Sequence, residues 1–215
     1  MKEKTLKFID EFFARHGELS PLREEIVSAG SVLRDTFARG GKLLLCGNGG
    51  SCADCDHIAG ELLKGFMLRR PVTEEFDRNM SARFADEGHM IASRLQQGLP
   101  AISLAGHAAA ISAFANDVDP ELVYAQQVLA YGRGGDVLIG ISTSGNAKNV
   151  ACAVMTAAAK GLTCIGLTGR DGGRLAKLCD IALIMPETET YRIQEQHIAV
   201  YHLLCTVVEY ELFDE

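Results

Sequence analysis

Apolar residues near the start of the chain recur at three- and four-residue steps. Leu6, Ile9, Phe12 and Phe13 form one stripe; Leu22, Ile26, Ala29, Val32, Leu33 and Phe37 form a second. That spacing predicts two amphipathic helices before any strand. Gly40-Gly41 ends the second, and the pattern then changes to short, continuous apolar runs: KLLLC (42–46), AISLA (101–105), DVLIGIS (136–142), LTCIGLTG (162–169) and DIALIMP (180–186). Each has the length and character of a strand buried on both faces. Helices are expected from about Ser51 to Gly65, from the TSGN turn through about Lys160, briefly between the last two strands, and from about Tyr191 to Phe213. Buried strands alternating with helices predict an α/β, doubly wound, mainly five-stranded parallel sheet flanked by helices. A single domain over 1–215 is expected, with an N-terminal helical region over 1–40 and a long buried C-terminal helix. Such sheets bind ligands beyond the carboxyl ends of their strands, where the turns GNGGS (47–51) and STSGN (142–146) fall.

Two stretches depart from this scheme. Residues 67–100 are polar and charged, with a helix expected from about Gly88 to Gln97. A structureless loop of that length is unusual in a compact domain. The segment, read as an insertion, therefore carries function, packs against another subunit, or runs as a mobile surface excursion. In the final helix, Ile193, Ile198, Val200, Leu203, Leu204, Val207, Val208 and Leu212 cover most of the circumference. A helix apolar nearly all round is buried on several sides, which predicts a subunit interface.

Composition narrows the class. Hydrophobic residues make up 47 % of the chain and charged residues 23 %, the balance of an ordinary globular protein. Net charge is −7 and cations occur only in short pairs such as Arg69-Arg70. That argues against sequence-independent nucleic-acid binding, which needs clustered cations. An acidic protein still binds phosphate through backbone amides at a helix start. The opening MKEKTLKFIDEFFARH is charged and amphipathic, unlike a signal peptide, and no run approaches 18 apolar residues, so no membrane span is expected. Seven cysteines, an odd number scattered among strands and helices, fit a reducing compartment, the cytoplasm, rather than a disulfide framework.

The densest chemistry lies in CGNGGSCADCDH (46–57). Cys52 and Cys55 form a CxxC, but a thioredoxin-like motif places its first cysteine directly after the strand, and GNGGS already fills that turn. A structural zinc site needs two further ligands, and no second CxxC exists. Small buried fillers are the better reading of these cysteines. The phosphate reading fares better: Gly47, Gly49 and Gly50 permit a tight turn with exposed amides, and Ser51 is placed to cap the helix. The second turn, Ser142-Thr143-Ser144-Gly145-Asn146, adds three hydroxyls at another helix start. Two such turns, each after an apolar strand, point to a shared anionic ligand.

Taken together, LLCGNGGS (44–51), GDVLIGISTSGNAKNV (135–150) and RIQEQHIAVYHLL (192–204) resemble the sugar isomerase (SIS) domain family, in its phosphoheptose isomerase branch. The resemblance spans the strand-rich core and both terminal helical regions and leaves out 67–100. It implies a phosphosugar isomerase acting in a homotetramer, with sites between subunits. It also implies one divalent metal per subunit, usually zinc, on His57, Glu61, Gln194 and His202. Asn48, Gly49, Gly50, Ser51, Asn116, Asp117, Ser142, Thr143 and Ser144, with Glu61 and Gln194, match the substrate-contacting positions.

Elementary geometry bears on that set. His57 and Glu61, four residues apart on a helix, share one face, and imidazole with carboxylate suits zinc, although such a pair also occurs on ordinary helix surfaces. Gln194 and His202, eight apart, are separated by roughly 12 Å along a helix axis and about 80° around it. They reach one metal only if Gln194 lies at a frayed helix start or if two subunits contribute. His197 is a rival ligand by spacing, or a hydrogen-bonded core histidine. Aldose–ketose isomerisation through an enediol needs a carbon base and an acid/base group for the hydroxyl proton, roles assigned to Glu61 and His202. Two departures temper the match: Ala147 follows STSGN where the family often has serine, and 67–100 is longer than expected. The reaction expected is sedoheptulose 7-phosphate to D-glycero-D-manno-heptose 7-phosphate. The alternatives are another phosphosugar, or a non-catalytic SIS protein that binds sugar phosphate or associates with a replication initiator.

Overall fold

The computed structural model describes residues 1–214. Five strands, β1 (Leu43–Gly47), β2 (Ala101–Ser103), β3 (Val137–Ile141), β4 (Thr163–Gly169) and β5 (Ile181–Met185), form one sheet in the order β2-β1-β3-β4-β5. Every pairing is parallel, with Leu43 opposite both Ala101 and Val137. All five coincide with the apolar runs of the sequence, β1 running one residue further, to Gly47. Successive side chains point to opposite faces, which splits the core in two. Leu43, Leu45, Ile139, Ile165 and Leu167 face one core; Leu44, Cys46, Leu138 and Cys164 face the other.

The first core is roofed by α1 (Glu3–Arg15), α2 (Arg23–Ala38), α3 (Gly50–Leu63) and α9 (Thr190–Phe213); a short 3₁₀ turn at Gly17–Leu22 links α1 to α2. Leu6, placed by periodicity on the buried stripe of α1, is exposed, and Thr5 is buried instead, donating to Glu211. The second core is covered by α5 (Ala108–Asp117), α6 (Val123–Tyr131), α7 (Lys148–Ala159) and the single turn α8 (Leu175–Leu178). Among the described residues no helix is long and apolar enough to cross a membrane.

Two expectations change. The helix expected over 88–97 is α4 (Glu74–Ala92), broken at Ala85, whose φ of 49° leaves the helical region. The chain folds back there, so that His89 Nδ1 lies 2.9 Å from Asp77 Oδ1. Only Gly88 and Ala92 of α4 are buried. Its rich charge fits a solvated helix as well as a loop, which is why periodicity locates it poorly. The second change concerns α9. Its continuous buried stretch from Leu203 to Tyr210 packs against α1, α2, α3, β4 and β5 of the same chain. Most of the apolar circumference is thus covered within one subunit, while Ile198 stays exposed at 40 %.

Candidate active site

The strand order reverses between β1 and β3, and both glycine- and serine-rich turns leave the carboxyl ends of those neighbouring strands. This is the crevice where open parallel sheets take ligands. Reciprocal hydrogen bonds hold the two sides together: Asn48 Nδ2 donates to Asn149 Oδ1 at 2.8 Å, and Asn149 Nδ2 donates to Asn48 Oδ1 at 2.9 Å. Tyr124 Oη donates to the Gly47 carbonyl at 2.6 Å. Sequence reasoning misses Asn149 and Tyr124, although Asn149 stands in the GNAKNV stretch that carries part of the resemblance.

The first turn is tighter than expected. Gly49, with φ 58°, is the N-cap of α3, so Ser51 sits inside the first helical turn, buried, rather than capping it. Helices α3 and α7 both begin without a side-chain hydrogen bond from the cap residue. The Cys52 amide donates to the Gly49 carbonyl at 3.1 Å and the Val150 amide to Asn149 Oδ1 at 3.0 Å, so only the earliest amides of each helix are left to face an anion. Ser142 is buried, while Thr143 and Ser144 are half-buried, and the Asn146 amide donates to Ser144 Oγ at 3.3 Å. Ala147 is the cap residue of α7, so no hydroxyl competes for that helix start. Gln194 lies over the first turn: a Cβ at Gly50 would displace its side-chain amide. Asn116 and Asp117 close the exposed end of α5 and bond one another at 2.8 Å. Among the described residues no hydrogen bond ties that pair to either turn.

Three of the four metal candidates meet where α3 passes α9. His57 Nε2 is 3.2 Å from Glu61 Oε1, and the His57 and His202 ring centroids are 5.0 Å apart. Gln194, two turns nearer the start of α9, has its side-chain amide against Gly50 at the glycine turn. His57 Nδ1 is 2.8 Å from Tyr201 Oη, itself 3.4 Å from Asp54 Oδ1. Phe66 stacks on His202 with centroids 5.4 Å apart. A cavity of about 200 Å³ opens beside His202, lined by Phe8, Phe12, Arg15, Phe66 and Met67. A larger hollow of about 550 Å³, between His16 and the first turns of α9, holds none of the candidate residues.

Burial pushes the Glu61 carboxyl up, but the Lys64 hydrogen bond and charge, with His57, outweigh it and hold the group below its ordinary value. The Lys64 ammonium stands 2.9 Å from Glu61 Oε2. Burial, then the neighbouring His57, push His202 down, against the pull of Glu61. At neutral pH the pair is therefore an ionised carboxylate beside a neutral imidazole, the states a base and its proton-shuttling partner need. His197 is no ligand: it is fully buried, its Nε2 donates to the Thr168 carbonyl at 3.1 Å, and burial pushes it down to about 4. All seven cysteines are free thiols, and burial raises Cys52 and Cys55 above their ordinary value, which opposes thiolate chemistry. The nitrogen and oxygen donors of His57, Glu61 and His202 suit zinc. Among the described residues, as placed in a single chain, no three His, Cys, Asp or Glu side chains already converge on one ion position.

A parallel sheet with a glycine- and serine-rich crevice at its switch point, together with a carboxylate–imidazole cluster, defines an α/β protein with a candidate active site, and the SIS domain family matches residues 89–207. The phosphoheptose isomerase of Trichlorobacter lovleyi is 43 % identical over 181 residues, 84 % of this chain and 79 % of that protein. The solved phosphoheptose isomerase of Neisseria gonorrhoeae superposes with a TM-score of 0.72 at 34 % identity, covering 96 % of this chain and 97 % of that one. That of Francisella tularensis gives 0.74 at 30 % identity, covering 97 % and 98 %. The chain belongs to the SIS domain family and, within it, to the phosphoheptose isomerase branch, a family of isomerases.

Proposed function

We propose that this protein is a metal-dependent isomerase interconverting sedoheptulose 7-phosphate and D-glycero-D-manno-heptose 7-phosphate through an enediol. The observation that carries the reading is the meeting of His57, Glu61 and His202 beside the crevice of two phosphate-suited turns. The relatives named phosphoheptose isomerase support the seven-carbon substrate. The starts of α3 and α7, with Ser142, Thr143 and Ser144, hold the phosphate by backbone amides and hydroxyls. Glu61 removes the proton from the carbon beside the carbonyl, and His202 moves the hydroxyl proton. Lys64 keeps the Glu61 carboxylate ionised, and because coordination lowers basicity, the contact of Glu61 with a metal would loosen when substrate enters. His57, Glu61 and His202 would hold zinc, and Tyr201 would orient His57 from behind. Bound there, zinc would polarise the substrate carbonyl as a Lewis acid. Gln194, on the first turn, contacts the sugar in one chain and reaches a metal only across subunits, the arrangement a homotetramer with shared sites supplies. The deciding experiment is NMR of sedoheptulose 7-phosphate with metal-stripped protein, before and after zinc addition. Zinc-dependent appearance of the aldose is expected; phosphosugar binding with no turnover would overturn the reading.

A further inference from the structure

Glu209 is fully buried and lies seven residues beyond His202, on the same side of α9. Its Oε1 accepts from the Phe66 amide and from Arg70 Nε, both at 2.8 Å. Its Oε2 accepts from the Met67 amide at 2.6 Å and the Leu68 amide at 2.9 Å. Arg70 is 1 % exposed, and the rest of its guanidinium turns toward the end of α3. There it donates to the carbonyls of Leu62 at 3.1 Å, Glu61 at 2.9 Å, and Lys64. One buried ion pair thus ties α9, the 64–70 segment and the last turn of α3 together.

What the pair holds is informative. Arg70 grips the backbone of Glu61 itself. Glu209 fixes the backbone of Phe66, whose ring stacks on His202 at an interplanar angle of 26°. As an ion pair alone, the Arg70–Glu209 contact adds little that well-packed apolar side chains of similar volume would not. Its loss here would also strip a partner from the amides of Phe66, Met67 and Leu68 and from the carbonyls of Glu61, Leu62 and Lys64. Four donors on two carboxylate oxygens do, however, specify one geometry for the loop between the two reacting groups. We propose that Arg70 and Glu209 are positioning residues that set where Glu61 and His202 stand relative to one another. The proposal rests on the reading of those two as the proton-transferring pair.

The test compares Glu209→Gln, Arg70→Lys and the apolar double variant Arg70→Met with Glu209→Leu. Three properties are measured: thermal unfolding, kcat and KM for sedoheptulose 7-phosphate, and the NMR resonances of the His202 ring protons. Those protons are shifted by the stacked Phe66 ring, and Phe66→Leu marks their position without it. The double variant is expected to melt at a lower temperature, because six backbone groups lose a partner, and to show kcat lowered by about 10²-fold as misplacement near 1 Å would do. Its KM is expected to stay within about threefold, because the phosphate crevice is untouched, and its His202 resonances to move toward those of Phe66→Leu. A folded double variant with wild-type kcat and unmoved resonances would overturn the proposal. Should the double variant not fold, Glu209→Gln decides on the same two readouts. Full turnover by Glu61→Gln would sink the acid–base reading instead, and the His202 resonances would still judge the positioning.

Discussion

Helices α9 and α4 are both long, with 24 and 19 residues, and both carry apolar side chains on more than one side. Around α9 the chain supplies a partner for nearly every such side chain, and the stretch from Leu203 to Tyr210 vanishes from solvent. Around α4 it supplies almost none: Phe76, Phe84, Met90 and Ile91 stay exposed. The seam between α9 and α3 carries the carboxylate–imidazole cluster, whereas α4 stands off as a bent arm tied down at its base by the Gln97 amide on the Arg70 carbonyl, at 2.7 Å. An apolar side chain states a need for burial, and topology decides whether the chain meets that need itself.

The contrast predicts where substitutions matter. The largest effect belongs to Glu61→Gln, which keeps size and removes the base; turnover should fall by about 10²–10⁴-fold in the NMR assay. Near-full activity would move the chemistry away from the seam. Next comes packing. Leu204→Ala on α9 should cost about 2–5 kcal/mol in denaturant unfolding, because the buried site is closed on all sides.

The acid response of α9 ranks third. His197 has a folded pKa of about 4 against an ordinary 6.5, so below pH 6.5 the unfolded chain binds a proton that the folded chain refuses. Stability is therefore lost as pH falls from 6.5 toward 4, by on the order of 3 kcal/mol at the lower end. His197→Gln should flatten that portion of the curve; an unchanged slope would assign it to other groups. The smallest effect is expected on the arm: Phe84→Ala, at a side chain 52 % exposed, should change stability by no more than about 0.5 kcal/mol. A larger loss, especially one that depends on protein concentration, would show that α4 finds its partner outside the chain.

The same contrast separates the features that are legible in the sequence from those that are not. Strands such as Leu43–Gly47 and Val137–Ile141 are buried on both faces, so five apolar residues followed by a glycine or serine turn identify them locally. His57 and Glu61 are legible because four residues on a helix fix their mutual direction. Other features depend on distant pairings that no local pattern encodes. Gln194 meets Gly50 because of where α9 crosses α3, and Arg70 and Glu209 meet across 139 positions of sequence. Helix α4 is hard to read for the opposite reason: with little to pack on, its residues carry no clean stripe, and the break at Ala85 interrupts the periodicity.

The reciprocal amide pair of Asn48 and Asn149 has a thermodynamic meaning as well. It joins the turn after β1 to the start of α7 after β3, linking the crevice floor into one plate. The ordering entropy of that plate is spent when the chain folds, not when a ligand arrives. An anion bound there would meet a surface already formed.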